Sequence, residues 1–221
     1  MKGLLIKDFQ IVMKNRKIFI MLLFILVFSV MSGKQESIYF LISYTTIMCS
    51  SFVLTTISTD EFDKSTSFLM VLPIKRSTYA IEKYVFSLLF GLAGCITSTV
   101  ISCVIASGNI NEILMTALVL YITLSLFQLI MIPVQLKYGG ENGRIVLIGL
   151  IVAIISLVFI IKEYLPKIVD KQVLEKWLYV VYETIQSITP FGMVFLGLII
   201  LLFGVIISMS ISVKIMQKRE F

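Results

Sequence analysis

Six stretches of this chain are apolar over enough consecutive residues to cross a lipid bilayer, or nearly so. They lie at about 18–33, 38–59, 84–107, 113–135, 145–161 and 188–213. At ~1.5 Å rise per residue, a hydrocarbon core of ~30 Å takes about 20 helical residues. The first and fifth stretches are short, and they are expected to lean on Lys17, Lys34, Arg144 and Lys162 snorkelling from their ends. Composition agrees. The chain is 58% apolar and 14% charged, with a mean hydropathy of +1.02, against about 45–50% and about 25% in soluble domains. The fold expected is all-α: one polytopic membrane domain of six transmembrane helices over residues 1–221.

Span 1 has a small residue near its end, in Val30-Met31-Ser32, as a signal peptide would. Its leader of 17 residues with five basic side chains is longer than an ordinary signal-peptide n-region, so a retained span is expected.

Basic residues orient the bundle. Of 19 Lys and Arg, 14 fall in alternate polar segments beginning with the N-terminus, and five fall in the others. By the positive-inside rule both termini are cytoplasmic. This placement accounts for the formal charge of +6 without nucleic acid as a partner. Outside, Lys162, Lys167, Lys171 and Lys176 are offset by Glu163, Asp170, Glu175 and Glu183.

Two polar segments carry helical pattern of their own. In residues 1–17, Leu5, Phe9, Val12 and Met13 share one face, and Lys7, Lys14 and Arg16 fall elsewhere. An interfacial helix with its lysines at anionic headgroups is expected; the alternative is a basic leader that only sets orientation. In the outer segment 162–187, Val169, Val173, Trp177, Val180 and Val181 recur at helical spacing, and Trp177 with Tyr164, Tyr179 and Tyr182 suits the outer interface. That helix either gates or packs.

Several chemistries are excluded. With no histidine in the chain, helix-borne His-pair metalloproteases, Ser–His intramembrane proteases and bis-His haem carriers lack their central residue. Cys49, Cys95 and Cys103 lie in apolar runs at no metal-ligand spacing and read as small hydrophobes. All 32 charged residues fall in loops, at termini or at span ends, so an ion-coupled carrier lacks its intramembrane coupling site. ATP is the remaining energy source, yet no G-x-x-x-x-G-K-[ST] occurs, and Gly139-Gly140-Glu141-Asn142-Gly143-Arg144 is too short and lacks Lys-Ser/Thr. An ATPase, with its ATP and Mg, must be a separate subunit; this chain needs no cofactor and is not itself an enzyme.

The segment between spans 2 and 3 is the most specific. It runs from Asp60-Glu61-Phe62-Asp63 through Ser67-Phe68-Leu69 to Leu72-Pro73-Ile74-Lys75-Arg76, then Tyr79 and Glu82-Lys83-Tyr84. The acidic residues are expected to open a short helix, with Phe62, Phe68, Leu69 and Leu72 as its apolar face, Pro73 as its end and Ser77 or Thr78 capping the next helix. Such a helix suits docking of a soluble partner, or else packs on its own bundle.

An acidic cluster after span 2, a helix ending in Leu-Pro-Ile-Lys-Arg, and a Tyr and a Lys at the mouth of span 3 resemble the type 2 ABC-transporter permeases. The likeness is to the compact six-span bacterial branch that includes phenol-soluble-modulin and bacteriocin exporters. Lys2-Gly3-Leu4-Leu5-Ile6-Lys7-Asp8-Phe9 resembles that family's elbow helix, and Pro133-Val134-Gln135-Leu136-Lys137-Tyr138-Gly139 with Gly143-Arg144 its second inner loop. The outer region lacks the large extracellular domain of some relatives. The resemblance implies a half-transporter in the bacterial plasma membrane, paired with a second permease copy and resting on nucleotide-binding ATPase subunits. Docking then falls on a coupling helix with Glu61, Phe62, Ser67, Phe68, Leu69, Leu72 and Pro73, and a second contact on Lys137, Tyr138 and Gly139. Hydroxyls on span 2, Ser43, Thr46 and Ser50, are candidates for lining the path, which their family position favours, or serve as helix glue. A path without charges suits amphipathic peptides, toxins or antimicrobials. The rival function is a stand-alone immunity or scaffold protein of the membrane.

Overall fold

The computed structural model describes residues 2–14, 16–32, 35–62, 75–105, 110–139 and 189–218, with individual positions between 142 and 159 and Glu183. The segment 63–74, with Ser67, Phe68, Leu69, Leu72 and Pro73, lies outside the described residues, as does the outer helix expected at 162–187 apart from Glu183. Six helices make up the described body: α1 (Lys2–Lys14), α2 (Arg16–Ser32), α3 (Gln35–Phe62), α4 (Arg76–Ile105), α5 (Ile110–Tyr138) and α6 (Pro190–Lys218). Four of them, α3 to α6, are long and apolar enough to cross a membrane; the apolar part of α2, Ile20–Met31, is shorter. The described positions between 142 and 159 have helical backbone.

Each long helix overruns its apolar stretch, because backbone hydrogen bonding continues past the point where hydrocarbon ends. α3 runs through Phe62. Asp60 and Glu61 therefore close α3 instead of opening a new helix, against expectation, and the lysines described below offset the unfavourable placement of acids at a helix C-terminus. α4 begins at Arg76, with Thr78 N–H donating to Lys75 C=O at 2.9 Å, so Ser77 and Thr78 lie in its first turn and not at its cap.

α3 packs on α4 and α5, α5 on α6, α4 on α5 and α6, and α2 on α3. Close approach of α3 and α4 is set by small residues: a Cβ on Gly94 would fall 2.6 Å from Cys49 Sγ. In lipid, where burial gives helices little drive to associate, such backbone proximity supplies the packing. The three cysteines are free thiols, Cys95 buried and the other two half-buried. Gln135 Nε2, near the end of α5, donates to Leu54 C=O at 2.8 Å and Ser58 Oγ at 2.7 Å near the end of α3. Arg76 Nη1, at the start of α4, donates to Gln217 C=O at the end of α6 at 3.0 Å. The last turns of α3, α5 and α6 and the first turn of α4 thus share one end of the bundle. The core there joins Leu4 and Val12 of α1 to Met216 of α6, so α1 and the last turns of α6 lie at that same end.

Pro133 lies inside α5. Proline has no N–H, so the carbonyl four residues earlier, Leu129, loses its helical donor. Ser208 of α6 replaces it: its hydroxyl donates to Leu129 C=O, and Tyr84 OH of α4 hydrogen-bonds Ser208 and Ser212 at 2.6 and 2.7 Å. Three helices are joined by one repaired carbonyl.

Candidate functional site

At the shared end of the bundle, charges from three helices meet in the interior. Lys83 of α4 is fully buried. Its Nζ lies 2.5 Å from Asp8 Oδ2 of α1, 3.2 Å from Asp60 Oδ2 and 3.1 Å from Thr56 Oγ1 of α3, and 3.8 Å from the neighbouring Glu82. Lys7 Nζ meets Asp60 at 2.5 and 2.7 Å and Asp8 Oδ1 at 3.3 Å. Tyr79 OH donates to Asp60 Oδ2 at 3.0 Å. Asp8, Asp60 and Glu82 are buried, and both Glu82 side-chain oxygens lack a hydrogen-bond partner among the described residues. The buried Lys83 ammonium and the partly exposed Lys7 ammonium thus face three buried acidic side chains. Buried charges persist only when paired and hydrogen-bonded, and Lys83 supplies that pairing to α1 and α3 at once.

The cluster corrects the reading of α1. The face turned inward carries Leu4, Asp8 and Val12, while Phe9 and Met13 are exposed and Leu5 is only partly covered. Lys7, expected at lipid headgroups, is held by Asp60. The two ion pairs that tie α1 to its neighbours, Asp8 with Lys83 and Lys7 with Asp60, rotate the helix away from the purely apolar register, since placing Asp8 outward would leave Lys83 buried without its nearest acid. The signal was in the sequence: Asp8 stands four residues from both Leu4 and Val12, an acid on a stripe that is otherwise apolar.

The candidate docking residues that are described converge on this end. Glu61 of α3 has its carboxylate against Gly139 just past α5; a Cβ on Gly139 would fall 2.6 Å from Glu61 Oε1. Gly139 has φ of +88°, the left-handed region that glycine alone enters at little cost. Its N–H donates to Gln135 C=O at 2.9 Å, ending α5. Beside this contact Phe62, Lys137 and Tyr138 are exposed, and Lys137 Nζ lies 4.9 Å from the centre of the Tyr138 ring, a cation–π distance. Two segments separated by 78 positions in the sequence thereby form one surface.

The span 2 hydroxyls are placed differently. Ser43, Thr46 and Ser50 donate to carbonyls of their own helix, those of Tyr39, Ile42 and Ile47, at 2.7, 2.7 and 3.2 Å. Thr46 and Ser50 are buried within the protomer, and Ser50 lies against Gly91 of α4.

Long apolar helices with buried charge gathered at one end define a polytopic helical membrane protein. The family model of the ABC-2 family transporter proteins matches residues 3–217, nearly the whole chain. The chain belongs to the ABC-2 transporter family and is a membrane component of a transporter. No curated protein matches it.

Proposed function

We propose that the chain is the permease half of an ATP-driven exporter of the bacterial plasma membrane, both termini cytoplasmic, which pairs with a second permease copy and docks a separate nucleotide-binding ATPase. The observation that carries this reading is the seating of Glu61 on Gly139. It joins the start of the first inner segment to the end of α5, beside exposed Phe62, Lys137 and Tyr138, as a common footprint for one soluble partner requires. The segment 63–74 completes that footprint with Ser67, Phe68, Leu69, Leu72 and Pro73 as the coupling helix, and α1 is the elbow helix. Movement of the ATPase, driven by the ATP and Mg it holds, would press on this surface and reorient the spans. An amphipathic peptide, toxin or antimicrobial is the cargo that suits a path without charges.

The test is the ratio of ATPase to permease in the purified complex, at equal permease yield, for Phe68→Ala and Leu69→Asp. An apolar anchor at an interface centre is worth about 2 kcal/mol or more, roughly thirtyfold in affinity, and a buried unpaired carboxylate costs more. Both variants should shed the ATPase and keep their fold. An unchanged ratio with normal ATP-dependent transport places docking elsewhere. Absence of any co-purifying ATPase from the wild type favours the stand-alone immunity or scaffold protein.

A further inference from the structure

Between α5 and α6 a groove of about 780 Å³ opens to the side of the bundle. It begins at Leu126 and Gly204 and ends at Lys137, Tyr138 and Ile215. At ~1.5 Å per residue the stretch from Leu126 to Lys137 rises about 16 Å, close to the ~15 Å hydrocarbon depth of one leaflet. The walls are aliphatic along that length. Their one hydroxyl, Ser208, is already engaged with Leu129 C=O and Tyr84, so the interior asks nothing polar of an occupant. Only the mouth is polar. Lys137 is exposed there, with Tyr138 beside it, and the last turns of α6 add exposed Lys214 and Lys218 at the same end. Glu61, whose carboxylate lies against Gly139, is not among the lining residues.

We propose that this groove binds one anionic phospholipid, with an acyl chain lying along α5 and α6 for the depth of a single leaflet and its phosphate at Lys137. The length of the groove and the confinement of cationic charge to one end select an amphipathic anionic occupant over a second apolar helix, which would have no use for a cationic mouth. Basic side chains at the ends of membrane helices recognise anionic headgroups at about 1 kcal/mol each, or about fivefold in affinity. The site rests on the membrane reading alone, and does not require the ATPase to dock.

The experiment uses the full chain purified in detergent without an ATPase, titrated with palmitoyl-oleoyl phosphatidylglycerol or palmitoyl-oleoyl phosphatidylcholine and followed by native mass spectrometry. Wild type should take up one saturable phosphatidylglycerol, about fivefold more tightly than phosphatidylcholine. Lys137→Gln, an exposed change that leaves packing intact, should bring the two lipids within about twofold. Ile207→Trp, which fills the groove from α6, should weaken both. Equal binding of the two lipids by wild type, or a preference that survives Lys137→Gln, overturns the proposal. So does a dimer mass that forms in place of the lipid adduct and is lost in Ile207→Trp, since the groove would then hold a second copy. Because no ATPase is present, each of these outcomes is independent of where an ATPase docks.

Discussion

Replacing Lys83 by methionine keeps the length and most of the volume of the side chain and removes only the ammonium. The structure says who suffers. Asp60 keeps Lys7 at 2.5 Å and the Tyr79 hydroxyl at 3.0 Å. Asp8 loses its 2.5 Å partner and retains only Lys7, at 3.3 Å on the other oxygen. Glu82, without a hydrogen bond among the described residues, loses the cation at 3.8 Å. Removing one partner of a buried pair costs about 3–5 kcal/mol, because a desolvated charge is left behind. For a chain of this size that is a fall of roughly 6–20 °C in the midpoint of thermal unfolding, read in detergent on purified protein. The sharper test is the double variant Asp8→Leu/Lys83→Met. Leucine at position 8 continues the stripe of Leu4 and Val12, and exchanging a buried pair for apolar residues is close to neutral. The double variant should recover at least half of the loss. If Lys83→Met unfolds within about 2–4 °C of wild type, which is about 1 kcal/mol, or if Asp8→Leu brings no recovery, the ion pair between α1 and α4 does not hold these helices together.

Two further stability predictions follow from local geometry. Ser208→Ala should cost about 1–3 kcal/mol by leaving Leu129 C=O unsatisfied, and the cost should shrink when Pro133→Ala is present, since alanine there restores the helical N–H; equal losses in both backgrounds would refute the repair. Gly139→Ala should cost about 1–2 kcal/mol for the left-handed backbone, with an added penalty from the Glu61 contact that Glu61→Ala removes; thermal unfolding of the two variants separates these contributions.

The four long helices were legible because hydrocarbon leaves a simple imprint: 38–59, 84–107, 113–135 and 188–213 each coincide closely with α3, α4, α5 and α6. What the pattern could not give was where α3 ends, since Asp60 and Glu61 read as the opening of a new helix and instead close α3; Lys83 falls, as expected, in the helix leading into span 3, but nothing local in the sequence names its partners. The proposed docking residues are legible one by one, but not as a surface. Phe62, Lys137 and Tyr138 were picked out by motif and are exposed at one end of the bundle, whereas the pairing of Glu61 with Gly139 is a tertiary fact with no local signature. The charge cluster was not read at all. Its members come from residues 7–8, 60 and 82–83, and periodicity within one helix carries no information about a partner on another. On α1 the most apolar face and the buried face differ by about one position, because an ion pair outranks a methionine or phenylalanine contact in setting which side turns inward.

The bond between Asp8 and Lys83 joins residues 75 positions apart. Chains emerge from the ribosome at about 5–20 residues per second, so Lys83 follows Asp8 by roughly 4–15 s. Through that interval α1 has been made without its α4 partner, and Asp8 has the neighbouring Lys7 of its own helix beside it. α1 is therefore expected to reach its buried position only after α3 and the first turns of α4 are in place, although it precedes both in the sequence.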